Sequence, residues 1–365
     1  MSSIAPLFKS FRLHNLTLPN RVVMSPMTRS HSPGGVPGAN VAAYYRRRAE
    51  GGVGLIVTEG VAINHPAAVS DDKIPQMFGD AALAGWKRVA SEVHAVGGHI
   101  FPQLWHVGMM RKPGELPNVD APAVGPSGLA LNGKKISEPL TEKDVEYLIG
   151  AYAEAAGNAM KAGFDGIELH GAHGYLIDQF FWGQTNTRTD RFGGDIAART
   201  RFGVEIVQAC RRATRPDFPI ALRWSQWKST DYNAKLATTP QELERFLKPL
   251  VDAGVDLFHC SQRRFWETEF DSALNIAGWT KKLSGKPVVT VGSVGLDGDL
   301  IGSLSGKPSH HVGIDKVVAM VERGEVDLVA VGRALLADAA WPVKIREGRA
   351  QDLTPLTQES FVNLI

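Results

Sequence analysis

The stretch IELHGAHGYLIDQFF (167–181) ends an apolar, β-favouring run by presenting His170, His173 and Tyr175 in close succession. Three chemistries fit such a set. Two imidazoles three residues apart can bind a metal, although no Asp, Glu or Cys of the segment stands at an obvious metal-motif spacing. They can equally be ordinary turn or core histidines. Alternatively, two ring N–H groups can converge on one oxygen and polarise a carbonyl as charge develops on it. Tyr175 then offers a phenol as general acid.

Such residues need rigid elements to hold them, and the chain supplies a repeating one. Eight apolar runs read as strands: 20–27, 54–61, 99–105, 166–172, 219–226, 256–262, 287–293 and 327–335. Several are nearly continuous in apolar residues, as parallel strands covered on both faces are. Helix-like stretches lie between them. TEKDVEYLIGAYAEAAGNAMKAG (141–163) opens with a Thr-x-x-Asp variant of the capping box and closes at a glycine. TTPQELERFLKPLVDAG (238–254) places Thr239-Pro240 at N-cap and N1. Eight β-then-α repeats predict an α/β fold, a (β/α)8 TIM barrel in one domain spanning 1–365, rather than an open doubly wound sheet. The GxGxxG turn usual after the first strand of such a sheet is missing. Residues 107–140, rich in Gly, Pro, Ser and Lys, read as a loop or hairpin excursion over the C-terminal face.

In a parallel barrel the strand ends share one mouth. Those ends carry Pro26, Met27 and Thr28; Glu59 and Gly60; Gln103 and Trp105; His170 and His173; Arg223; Gly292 and Ser293; Gly332 and Arg333. Glycines after the last two strands let backbone N–H groups approach an anion, which Arg333 can bind bidentately, at the position of the barrel phosphate site. Gln103, Thr28 and Arg223 suit a flat polar heterocycle, such as a flavin whose reduced ring carries negative charge at N1 and O2. A structural ion pair for Arg223 is the alternative, because an unpaired buried charge is costly.

Composition narrows the classes. A net charge of +2 gives no electrostatic argument for a nucleic-acid or membrane partner. Two cysteines exclude a four-cysteine cluster or zinc site. The N-terminal MSSIAPLFKSFRLHN lacks a signal-like apolar run, and no segment approaches 18 uninterrupted apolar residues, which predicts a cytoplasmic, soluble protein.

With these residues assembled, the chain resembles the Old Yellow Enzyme family of FMN-containing ene-reductases. The resemblance rests on NRVVMSPMTR, QLWHVG, HGAHGYLIDQFF, TNTRTDRFGGD and VGRALLADAAWP in this order, and covers nearly the whole chain. It implies non-covalent FMN and NADH or NADPH as hydride donor. Pro26, Met27, Thr28, Gly60 and Gln103 would line the isoalloxazine, Arg223 would sit by N1 and O2, and Gly292, Ser293, Gly332 and Arg333 would hold the phosphate. His170 and His173 would grip the carbonyl oxygen of an α,β-unsaturated substrate, and Tyr175 would protonate Cα. Trp105, Phe265 and Trp266 are further substrate-binding expectations, the last two as an aromatic wall. No metal is expected, and the oligomer is expected to be a monomer or homodimer.

The chain combines Thr28 with a His-His pair, whereas many members pair Cys with His-His or Thr with His-Asn. Met109-Met110 stand where Arg commonly follows the Gly of QLWHVG, and RWSQWKSTDY (223–232) maps to no general family role. Larger relatives reduce dienoyl thioesters through an iron–sulfur cluster and a second flavin domain. Two cysteines, and an end soon after the eighth strand, imply electrons taken directly from NAD(P)H. The competing expectations are a metal-dependent barrel hydrolase and a flavin-binding protein without useful turnover.

Overall fold

The computed structural model describes residues 3–365. An antiparallel hairpin, β1 (Phe11–Leu13) and β2 (Leu16–Leu18), precedes the eight parallel strands of a closed barrel. These are β3 (Val22–Met24), β4 (Leu55–Ala62), β5 (Ile100–Trp105), β6 (Ile167–His173), β7 (Ile220–Lys228), β8 (Leu257–Ser261), β9 (Val288–Val291) and β10 (Leu328–Val331), with β10 closing onto β3. The helices α1 (Ala39–Glu50), α2 (Asp80–His94), α3 (Glu142–Lys161), α4 (Leu176–Phe181), α5 (Arg201–Ala213), α6 (Pro240–Ala253) and α7 (Ile276–Ser284) fill the crossovers. Shorter α8 (Leu300–Leu304) and α9 (Asp315–Glu322) lie between β9 and β10, and α10 (Arg333–Ala337) follows β10. The barrel expected from the sequence is therefore the fold.

Local signals act as their chemistry predicts. Thr141 and Asp144 form the reciprocal capping box of α3, and Thr239 caps α6 by accepting from Glu242 N, with left-handed Gly254 at its end. The run expected to be one strand over 327–335 divides into β10 and α10, because the chain turns at Gly332. The excursion 107–140 contains only a 3-10 turn, Gly108–Met110, and one antiparallel bridge, Leu129↔Lys135.

Alternate strand residues sort into two cores, as a period of two requires. Val23, Leu55, Val57, Phe101, Ala221, Leu257, Val289 and Leu328 belong to a buried cluster with Leu13 and Leu18, so the N-terminal hairpin closes one end of the barrel interior. Their neighbours on the strands pack outward against the helices in the larger core.

Two buried carboxylates position the other end. Glu59 Oε2 accepts from the amides of Arg29 (2.8 Å) and Ser30 (3.1 Å), which fixes the turn just after Thr28. The Arg29 guanidinium donates in turn to the carbonyls of Ser360, Phe361 and Asn363, so the C-terminal segment braces the same turn. Burial pushes the Glu59 carboxyl up to about 7. At β7, Lys228 and Asp178 form a fully buried ion pair of 2.7 Å, and Asp178 Oδ2 also accepts from Gly174 N. Burial drives the ammonium below its usual range and the carboxyl above its own, each opposed by the other's charge.

Both carboxylates generate measurable expectations. The folded protein holds the Glu59 proton more tightly than the unfolded chain between about 4.5 and 7, so stability falls as pH rises through that window. Glu59→Gln should gain on the parent between pH 5 and pH 8, by about 3 kcal/mol at most. A stability difference that does not change with pH in denaturant titrations would refute this. Lys228→Met leaves Asp178 buried and unpaired and should destabilise by about 3–5 kcal/mol. Lys228→Met/Asp178→Leu should recover much of that loss, and a double variant no better than the single would count against the ion-pair account.

Candidate active site

A cavity opens at the C-terminal ends of the strands, the face where barrel enzymes build their sites. It brings together Pro26 and Met27 after β3, Arg223 of β7, Gly292 and Ser293 after β9, and Gly332 and Arg333 after β10. His173 faces it as well. Arg333 donates to Ser293 Oγ (3.1 Å), Ser303 Oγ (2.6 Å) and the Gly298 carbonyl (2.6 Å), which places a fixed cation beside Ser293. A side chain at Gly292 would meet the Gln262 carbonyl at 2.7 Å, so the close packing of the loop after β8 requires glycine there.

His170, His173 and Tyr175 form a ring cluster. Their centroids are 5.2 Å apart for the histidines, and Tyr175 lies 5.0 Å from His170 and 6.4 Å from His173. Trp105 stands edge-on to Tyr175 at 5.0 Å. His170 Nδ1 is buried with no hydrogen-bond partner among the described residues. Burial, and then the charge of Arg223, hold both imidazoles well below their ordinary value, so both are neutral. Burial raises the Tyr175 phenol, which therefore keeps its proton.

β6 reaches this geometry by an unusual route. Its pairing with β7 shifts between Gly171↔Trp224 and His173↔Lys228, so β7 carries extra residues there. His173 (φ 65°) and Gly174 (φ 84°) are both left-handed, a strained conformation for the histidine. β7 holds it in place: His173 N donates to Ser225 Oγ (2.9 Å), and His173 O accepts from Ser229 N (3.1 Å).

Beneath the cavity lies a polar layer. Glu168 accepts from Gln103 Nε2 (2.8 Å) and pairs with His259 Nδ1 (2.7 Å). Burial works against its ionisation, yet His259 and Arg223 hold its carboxyl below the usual range. Arg223 is 6% exposed, donates to Ser261 Oγ (3.3 Å), and keeps its Nε without a partner.

The remaining expected residues lie around this centre. Gly60 is buried where a Cβ would strike the Trp105 indole at 2.3 Å, so that ring excludes a side chain. Thr28 has its side chain open to solvent. Phe265 is buried, with its amide on the Gly292 carbonyl (3.1 Å), and Trp266 is 39% exposed; neither lines the cavity. Trp227, Tyr232, Ser261 and Arg263 do line it, and the sequence reading assigns none of them a role. Ser261 was open to the strand-end rule, as the last residue of β8. Trp227 was hidden by the bulge of β7.

The residues fit FMN. A buried arginine with an unpartnered Nε lines the cavity, and a second arginine sits with Ser293 beside two glycines at the ends of the last two strands, a donor set suited to a polar ring and an anionic group. Among the described residues, no three His, Cys, Asp or Glu side chains gather as a metal-ligand set, and no helix is long and apolar enough to cross a membrane.

Comparison with known proteins agrees with this fit. The model of the NADH:flavin oxidoreductase / NADH oxidase family matches residues 6–352. An NADH oxidase of Thermoanaerobacter brockii is 34% identical over 363 residues, which are 97% of this chain and 52% of that protein; the chain spans about half its length. Morphinone reductase, solved in complex with tetrahydroNAD, superposes with a TM-score of 0.81 at 28% identity, covering 97% of this chain and 93% of that one. An old yellow enzyme homologue from Zymomonas mobilis gives 0.80 at 26% identity, covering 98% and 96%. The chain belongs to the NADH:flavin oxidoreductase / NADH oxidase family, the Old Yellow Enzyme family of FMN-binding barrels.

Proposed function

We propose that the chain is an NAD(P)H-dependent ene-reductase that saturates the C=C bond of α,β-unsaturated carbonyl compounds. The observation that carries this reading is the neutral His170–His173 pair beside a protonated Tyr175, with His173 lining the same cavity as Arg223. FMN, when bound, would supply the two-electron redox chemistry that links NADH or NADPH to the C=C bond. Pro26, Met27, Thr28, Gly60, Gln103 and Arg223 would hold its ring, and Gly292, Ser293, Gly332 and Arg333 its phosphate.

The chain's own residues handle the oxygen and the proton. His170 and His173 each direct one N–H at the carbonyl oxygen, and these bonds strengthen as enolate charge accumulates. A neutral donor polarises without giving up its proton, which leaves protonation of Cα to Tyr175. Tyr175 Oη is suited to that step because burial keeps it protonated near neutrality. Trp105, edge-on to Tyr175, limits where the phenol can swing. Phe265 and Trp266 would act as a wall only in a substrate that extends beyond the cavity.

An anaerobic titration of the purified holoprotein tests the reading, with NADH and NADPH and then a panel of enones, following flavin absorbance. Reoxidation of the reduced protein by enones supports it, and failure across the panel sinks it. His170→Ala/His173→Ala should retain FMN while enone turnover falls by about two to three orders of magnitude and binding of 4-hydroxybenzaldehyde is lost. Tyr175→Phe should slow the enone half-reaction more than reduction by NAD(P)H; equal slowing of both would point to positioning instead.

A further inference from the structure

His173 is a neutral imidazole, so one ring nitrogen carries a proton and the other accepts. Which nitrogen faces the substrate oxygen as a donor decides whether the pair can work. The surroundings of Ser261 answer the question.

His173 Nε2 lies 2.7 Å from Ser261 Oγ. The same oxygen receives a bond from Arg223 Nη2 at 3.3 Å. A guanidinium only donates, so Arg223 occupies a lone pair of Ser261 and cannot take its hydroxyl proton. The hydroxyl proton then has one acceptor within reach, His173 Nε2. The opposite arrangement, with Nε2–H donating to Ser261, would use both lone pairs of the oxygen and leave a nearly buried hydroxyl proton with no partner among the described residues. The ring cannot turn to escape this choice. It is stacked on Trp227 at 4.4 Å and 25°, and Trp227 is anchored by its Nε1–H on the Ser261 carbonyl (3.1 Å).

We propose that Ser261 is a positioning residue that fixes the tautomer of His173, donating to Nε2 so that Nδ1–H is the donor His173 offers to the substrate oxygen. The inference rests on the reading that the histidine pair holds that oxygen. Nδ1 makes no hydrogen bond to any described residue, so it is available for that role. The chain Arg223→Ser261→His173 also passes polarisation along without moving a proton. A hydroxyl that accepts from a cation is a stronger donor, and an imidazole that accepts at Nε2 is a stronger donor at Nδ1. In this way the fixed charge of Arg223 reaches the substrate oxygen through three hydrogen bonds.

The test uses holoprotein labelled with 15N-histidine, with His173 assigned by its loss in His173→Asn. The expected signature is a protonated Nδ1 and an unprotonated Nε2. Ser261→Ala should scramble that tautomer and weaken 4-hydroxybenzaldehyde binding about ten-fold, the order expected for one hydrogen bond, with FMN retained. Ser261→Thr, which keeps the hydroxyl, should restore both. A His173 protonated at Nε2 in the parent overturns the proposal, as does a Ser261→Ala protein with unchanged tautomer and phenol affinity. If phenol binding survives in His170→Ala/His173→Ala, the donor-pair reading itself has failed. If it is lost there but unmoved in Ser261→Ala, only the role of Ser261 has failed.

Discussion

A guanidinium fixed inside a closed barrel acts, after burial itself, on the protonation of the groups around it. Arg223 is 6% exposed and reaches no carboxylate directly; Ser261 Oγ is its hydrogen-bond partner. Its field therefore acts on the neighbours. Burial first and then the charge of Arg223 push His170 and His173 down, burial lowers His259 against the pull of Glu168, and His259 and then Arg223 hold Glu168 ionised against the penalty of its own burial. The result is one cation, one anion and a set of neutral donors. A protonated histidine pair would attract an enolate more strongly, but it would sit against Arg223 in a medium of low dielectric. Neutral donors are the form this arrangement permits.

The second requirement is geometric. His173 must leave β6 in a left-handed conformation to turn its ring towards His170, and an isolated strand end would relax out of it. β7 and the residue after it prevent this from three directions: Ser225 takes the His173 amide, Ser229 gives its amide to the His173 carbonyl, and Lys228 holds the Asp178 carboxylate against Gly174 N. The buried ion pair is thus tied to the turn that carries Tyr175. Buried pairs of this kind add little stability over apolar replacements, so its contribution lies in the geometry it enforces.

These dependences explain what could be read from the residues alone. The eight strands and the caps of α3 and α6 were legible because each is written in contiguous residues, as an apolar run or a Thr three positions before its partner. His170, His173 and Tyr175 were legible for the same reason. Trp227 and Lys228 were not. Their positions follow from a register shift between β6 and β7, and burial of Lys228 makes sense only with Asp178, fifty positions away in sequence. Nor was the brace on Arg29, whose acceptors are main-chain carbonyls some 330 residues distant and leave no trace in side-chain type. Phe265 illustrates the converse: its aromatic character suggests a wall, and the structure buries the ring in the main core, edge-on to Trp266.

The same strands supply both the seal and the chemistry. On β7, Ala221 belongs to the apolar cluster closed by the hairpin, and Arg223 and Ser225 follow at the next two inward positions. On β8 the sequence is Leu257, His259 and Ser261, and on β5 it is Phe101, Gln103 and Trp105. Each two-residue step towards the C-terminal end therefore moves from a dry layer to a polar one and then to the strand ends. The dry layer gives the polar one its strength, because Arg223 and Glu168 act on their neighbours through protein rather than through water. A slip of one residue in β7 would turn Arg223 into the helix layer and Trp224 into the barrel. Strand register and site electrostatics are consequently a single constraint, and the fold cannot satisfy one without the other.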